Sequence, residues 1–317
     1  AIELKPDYAQ AHNNLGVVLR ELCQLVEALA SYKKAIELKS DYSQAHFGLG
    51  NTYKDMGKVE EAEASYKKAI ELKPDYAEAN YNWGRALMLN KSFKKAHELM
   101  EWRWQTDQPI GEYFESLKPI WNGSTNLKVL LWREQGIGDE IMFSSMIPQL
   151  QSNSKKLIVE CDQRLMPLLK RSFSKNLKYV IDRNKVKEDD YNSHLPIGSL
   201  PLHFRKNTND FLISSKGWLQ ADSRKSNDIR KKIINKKNRK IVGISWNTNS
   251  ILPEKIQRNI KLDMLIQPLK KLETVFVSLQ YGNTSEEISN LRSKYEIDFL
   301  EIPEIDLYND IDNLASA

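Results

Sequence analysis

Cysteine is nearly absent: Cys23 and Cys161 are the only two in 317 residues, far apart and with no Cys or His neighbour at metal-ligand spacing. That pattern excludes a disulfide framework and a zinc site, and both residues read as buried free thiols. Long apolar runs are also missing. No stretch approaches the ~20 consecutive apolar residues of a membrane helix, and no basic-then-apolar start suggests a signal peptide, so a soluble, cytoplasmic chain is expected. Charge is scarce where nucleic acid would want it. Residues 1–105 carry balanced charge, and the run "SRKSNDIRKKIINKKNRK" at 223–240 supplies more than the whole net charge of +5. That run has no aromatic side chain on which bases could stack, which argues against nucleic-acid binding and for a solvated helix end.

What the chain has in quantity is self-similarity. "AIELKPDYAQAHNNLG" from Ala1, "AIELKSDYSQAHFGLG" from Ala35 and "AIELKPDYAEANYNWG" from Ala69 recur every 34 residues. This resembles the tetratricopeptide repeat, in which each helix pair buries its apolar face only against the next pair. Leu15, Leu49 and Trp83 are expected between paired helices. Gly16, Gly50 and Gly84, with Ala28, Ala62 and Ala96, allow close approach, Tyr32 and Tyr66 pack between repeats, and Pro74 stops a helix. The resemblance implies a concave surface for a peptide or protein partner. In arms that resemble protein O-linked N-acetylglucosamine transferase, inner-face asparagines grip a peptide backbone. Asn14 and Asn82 match that position, and Gly48 interrupts the ladder.

After Ala96 the periodicity fails. "HELMEWRW" and "TDQPIGEYFESLKPIWNGSTN" bring Trp102, Trp104 and Trp121 together with turn residues. The spacing predicts the end of a solenoid, capped by aromatics against a second domain.

"LKVLLW" then reads as a strand buried on both faces, followed by "REQGIGDE" and a helical pattern in "IMFSSMIPQLQ". Gly136 and Gly138 permit positive φ and close approach of a ligand. A dinucleotide fingerprint fails because Ile141 stands where a third glycine belongs, and a phosphate loop fails because Asp139 and Glu140 replace G-K-[ST]. Two readings of Asp139 remain open: a helix N-cap, or a carboxylate at the crevice where open α/β sheets bind ligands.

"LLWREQGIGDEIMFSSMIPQL" is similar to the start of heptosyltransferase-like glycosyltransferases. The closest likeness is to bacterial proteins that join tetratricopeptide repeats to such a domain, with an "EWRW" seam and "W-x-G" before the first strand. The resemblance implies a GT-B fold, two Rossmann-like domains facing across a cleft, and covers roughly residues 100–317. It casts Asp139 as the base that deprotonates an acceptor hydroxyl, with inversion and no required metal. No D-x-D clamp is evident, Asp189 and Asp190 in "EDDY" being the nearest approach.

Further strands are expected in "KKLIVECD", "LKYVID", "KIVGISW" and "TVFVSLQYG". "YNSHLPIGSLPLHF", rich in turn residues, places His194 and Ser199 on the acceptor side. In the second domain the resemblance implies a basic residue on the donor diphosphate, Arg258 with Lys255 as substitute, and nucleoside contacts from Gln280 and Gly282. The family's later D-T-x-x-A-H-x-A-G stretch is not in the sequence, which reads as a piece of a longer protein at both ends.

The expected architecture is therefore α plus α/β: a tetratricopeptide solenoid at 1–105, a seam at 106–125, an acceptor-side Rossmann-like domain at 126–236 and the start of a donor-side one, incomplete, at 237–317. The expected activity is sugar transfer from a nucleotide-diphosphate sugar, a substrate rather than a cofactor, to a glycan or protein. The alternative is an interaction scaffold whose transferase domain is degenerate.

Overall fold

The computed structural model describes residues 5–109, 111–211, 217–233, 240–248 and 259–317. It contains two compact units, residues 1–160 with 182–216, and residues 161–181 with 217–317.

The first unit begins with six helices in three antiparallel pairs: α1 (Ala9–Glu21) with α2 (Leu25–Leu38), α3 (Ser43–Asp55) with α4 (Val59–Leu72), and α5 (Ala77–Leu89) with α6 (Phe93–Met100). Tertiary packing rather than capping holds them, since none of the six has a side-chain N-cap bond. Tyr32 and Tyr66 are 1% and 0% exposed, and burying each contributes about 2 kcal/mol. Their rings need glycine beneath them. A Cβ on Gly16 or on Gly50 would come within 2.8 Å of the Tyr32 or the Tyr66 ring, respectively. Gly48 lies buried under the same Tyr32 ring, so packing explains the glycine at that repeat position. Leu15 departs from expectation. It is 39% exposed, because no helix covers its side of α1.

Each pair turns through one residue at positive φ: Cys23 (59°), Gly57 (74°) and Lys91 (64°), again 34 residues apart. Cys23 is exposed in that turn, which corrects the expectation of a buried thiol; Cys161 is buried.

Beyond a 3-10 turn at Glu101–Trp104 come parallel strands. β1 (Leu127–Trp132) lies between β2 (Ser154–Glu160) and β4 (Ser193–Pro196), pairing Val129 with Leu157 on one side and with Ser193 on the other. Val129 to Trp132 are all 0% exposed, as a strand covered on both faces requires. "SHLP", read as turn-rich, is a fully buried strand. Its prolines follow at a strand end and inside the first turn of a short helix, α10 (Leu200–Phe204), where a missing N–H costs nothing.

The second unit holds β3 (Lys178–Val180), α9 (Met166–Ser172) and a parallel sheet in the order β5 (Lys240–Ile244), β6 (Thr274–Ser278), β7 (Phe299–Leu300). Phe276 and Phe299 pack on one side with Leu262 and Ile266 of a short helix and with Ile288 and Leu291 of the helix at Ser285–Tyr295. Val275 and Val277 face Ile229, from the helix at Ser223–Ile233, on the other. Alternate residues of one strand thus bury opposite faces. Pro268 cuts the expected helix in "KLDMLIQPLKKL" to Leu262–Ile266.

Candidate functional site

β1 is flanked by its successor β2 on one side and by β4 on the other, so the strand order reverses at its carboxyl end. Ligands of open α/β sheets bind at such a reversal. The segment 133–139 starts there. Helix α7 (Ile137–Ser144) is capped by Gly136 with no side-chain bond, so Asp139 lies in the first turn and is not the N-cap. Its half-buried carboxylate sits at the positive end of the helix, which favours the ionised form. Neither Gly136 nor Gly138 takes positive φ, contrary to expectation. The backbone does not need glycine there. A Cβ on Gly138 would meet nothing within 4 Å, and one on Gly136 would meet only Asp139 Oδ2 at 3.9 Å.

The residues before Asp139 are bound into the protein. Glu134, with a fully buried side chain, receives Arg103 Nε at 2.9 Å and Nη2 at 3.2 Å, a bidentate pair reaching back to "EWRW". Arg103 Nη2 also donates to Ser199 Oγ at 2.8 Å and Nη1 to Glu101 at 2.8 Å, while the Ser199 hydroxyl donates to Glu101 at 2.8 Å. Burial pushes the Glu134 carboxyl up from its ordinary value, and the guanidinium opposes that shift. A side chain on Gly198 would overlap the Glu134 carboxylate, and one on Gly111, at φ 86°, would overlap the Glu134 carbonyl. One residue earlier, Arg133 pairs with buried Glu140 at 3.6 Å. Its backbone N–H donates to Glu160, which also receives Arg183 Nη1 at 3.1 Å.

Aromatic rings close the seam. Trp104 lies 5.5 Å from Trp132 and 5.2 Å from Tyr113, and Phe114 lies 5.4 Å from the His194 ring. Trp121, 2% exposed, packs on His203 at 4.6 Å.

The sequence-derived candidates fall into three groups. Asp139, Gly136 and Gly138 come together at the end of β1. His194 and Ser199 do not join them and correct the expectation of an acceptor wall. His194 is 2% exposed, with Nδ1 accepting from Trp132 Nε1 at 3.1 Å, and Ser199 is consumed by Arg103 and Glu101. Burial holds the His194 imidazole below its ordinary value of 6.5. In the second unit Gly282, at φ 96°, lines a cavity of about 490 Å³ at the carboxyl ends of β6 and β7, with Ser285, Glu301, Asp306 and Tyr308. Gln280 borders that cavity. Its carbonyl oxygen, however, accepts from the N–H groups of Trp246 (3.0 Å) and Asn247 (2.8 Å) and fixes the loop after β5. Arg258 and Lys255 lie outside the described residues. On the repeats, Asn14 is exposed, and Asn82 accepts from Arg85 at 3.4 Å. Among the described residues no group of His, Cys, Asp or Glu could hold a metal ion, and no helix is long and apolar enough to cross a membrane.

Sequence reasoning missed Arg103 and Glu134. The available signal was an arginine between two tryptophans, a cation in a segment otherwise built for burial.

Three stacked helix pairs of this geometry define a tetratricopeptide-repeat solenoid, a class of structure that serves protein–protein interaction. The tetratricopeptide-repeat family model matches residues 19–57 and 50–91. A curated relative, protein FlbA of Caulobacter vibrioides, is 24% identical over 214 residues, 62% of this chain, which spans 36% of the relative's length. Among solved structures, the first tetratricopeptide domain of Spaghetti (RPAP3) bound to the HSP90 peptide SRMEEVD is 18% identical, covering 31% of this chain and 77% of that one (TM-score 0.30). MamA is 28% identical over 33% of this chain and 66% of its own (TM-score 0.29). The TPR2B domain of yeast Sti1 in complex with pHsp70 is 19% identical, over 30% and 75% (TM-score 0.29).

Proposed function

We propose that the repeats bind a protein partner or acceptor for a GT-B-type glycosyltransferase that moves a sugar from a nucleotide-diphosphate sugar to a glycan or protein, with inversion. The observation that carries this reading is the position of Asp139, which lies at a strand-order reversal, in the first turn of a helix, beside two glycines that leave open space. In the proposed step Asp139 takes the proton of an acceptor hydroxyl. The freed oxygen attacks the anomeric carbon from the face opposite the diphosphate, and the bond from that carbon to the diphosphate oxygen breaks. Lys255 and Arg258 would receive the charge developing on the diphosphate. The cavity beside Gly282 offers a nucleoside the ring of Tyr308 and the carboxylates of Glu301 and Asp306, which suit ribose hydroxyls.

Asp139→Asn keeps the shape and removes the base. The expected outcome is turnover lowered by about 10²- to 10⁴-fold with donor affinity nearly unchanged. A wild-type rate in that variant would remove Asp139 from the chemistry. The second reading, a scaffold with a degenerate transferase domain, is favoured by the buried, structural roles of His194 and Ser199. It requires partner binding with no release of nucleoside diphosphate.

A further inference from the structure

The first helices of the three pairs pack directly on one another, α1 on α3 and α3 on α5, and so line one continuous face. Each contributes a cation to it. Arg20 Nη1 and Lys54 Nζ converge on the single carboxylate of Asp55, both at 3.5 Å. Arg85, exposed, stands one helix further on, with its guanidinium 6.0 Å from the Tyr81 ring centroid. Between them buried Asn51 accepts the Tyr66 hydroxyl at 2.8 Å, and Arg20, Asp55 and Arg85 all act on that hydroxyl. Glu21 acts on Tyr32 at the α1 end and is not among the charges acting on Lys54 or Tyr66. Three cations therefore share one carboxylate on a partly dehydrated surface. Burial, then the neighbouring Arg85 and Arg20 charges, hold the Lys54 ammonium below its ordinary value, and Asp55 only partly offsets them. A face built this way gains most from an added anion.

We propose that this face of the repeats is a docking groove for an extended, carboxylate-rich segment of a protein partner, its acidic side chains held by Arg20, Lys54 and Arg85. Arginine supplies a planar fork for carboxylates at the two ends, and lysine a point charge between them. Asn14 and Asn82, on the same face, remain for the peptide backbone. The groove also runs toward the proposed chemistry, since Tyr81 on α5 lies within electrostatic reach of Arg85, Arg103, Glu134 and Asp139.

The inference rests on the partner-binding half of the proposed function and not on sugar transfer. Its test contains no donor, so it fails or succeeds apart from the glycosyltransferase reading. Fluorescence anisotropy would compare a fluorescein-labelled twelve-residue peptide of alternating Glu and Ser with its Gln counterpart on the whole chain. The Glu peptide is expected to bind at least about tenfold tighter, and to weaken as salt rises. Arg85→Gln and Lys54→Gln are each expected to weaken it about five- to tenfold, with unchanged circular dichroism and thermal midpoint. Because Arg85 is exposed, Arg85→Glu tests the charge without touching the packing around Tyr66. Equal affinity for the two peptides, absence of binding by both, or wild-type affinity in a folded Arg85→Glu protein overturns the proposal.

Discussion

The repeats and the seam beyond them are held by opposite means. Within the solenoid, contacts are short in sequence and recur: Tyr32 lies over Gly16 and Gly48, and Tyr66 over Gly50. At the seam, Arg103 reaches Glu134 and Ser199, 31 and 96 residues away, through charged groups that are almost fully dehydrated. Apolar stacking tolerates graded change, since each layer loses only its own contacts. A buried ion pair does not, because removing one partner strands the other in a medium that cannot solvate it.

That contrast fixes the order of expected effects. Glu134→Ala or Arg103→Met alone should destabilise the protein by about 3–5 kcal/mol, whereas Arg103→Met with Glu134→Leu should cost much less. A urea-unfolding double-mutant cycle measures the difference. Additive single effects would show that the pair is not the fastening. Gly50→Val, which forces a side chain into the Tyr66 ring, should cost about 1–3 kcal/mol and leave the seam intact. Loss of the Trp104–Trp132 near-ultraviolet signal in that variant would break the distinction between the two regions.

The seam and its surroundings also carry a pH signature. Burial holds His97, His194 and His203 below 6.5 in the folded chain. As pH falls below that value the unfolded chain takes up protons first, so the stability present above about pH 6.5 is lost progressively beneath it. Unfolding midpoints measured between about pH 7.5 and 5.5 should fall on the acid side, and His194→Asn should flatten the slope. The smallest effect belongs to the turns. Cys23→Gly and Lys91→Gly should each stabilise by up to about 1 kcal/mol, since Gly57 already occupies the equivalent positive-φ position. An unchanged thermal midpoint in both would mean that those turns relax.

The same contrast explains what could be read from the sequence. A period of 34 residues announces itself by repetition, and so do the small residues under Tyr32 and Tyr66. The apolar runs at 127–132, 240–244 and 274–278 likewise read directly as buried strands, because such strands need apolar residues at every position. The seam offers no pattern. Arg103 and Glu134 are single polar residues whose partnership exists only once the chain has folded, and "SHLP" carries the composition of a turn while lying inside a sheet. His194 and Ser199 were drawn toward function by residue type alone. Their burial beside Trp132 and Arg103 depends on which segment crosses β1, and local sequence does not record that.

The most direct measurement of the functional account is transfer itself. Uridine, adenosine, guanosine and cytidine diphosphate sugars, labelled on the sugar, would be supplied in turn to the protein together with material captured on its repeats. The account predicts that one donor releases its nucleoside diphosphate and leaves label on the captured material, and that Asp139→Asn abolishes both. Capture of a partner with no nucleoside diphosphate released from any donor would contradict the account and leave the chain a binding scaffold.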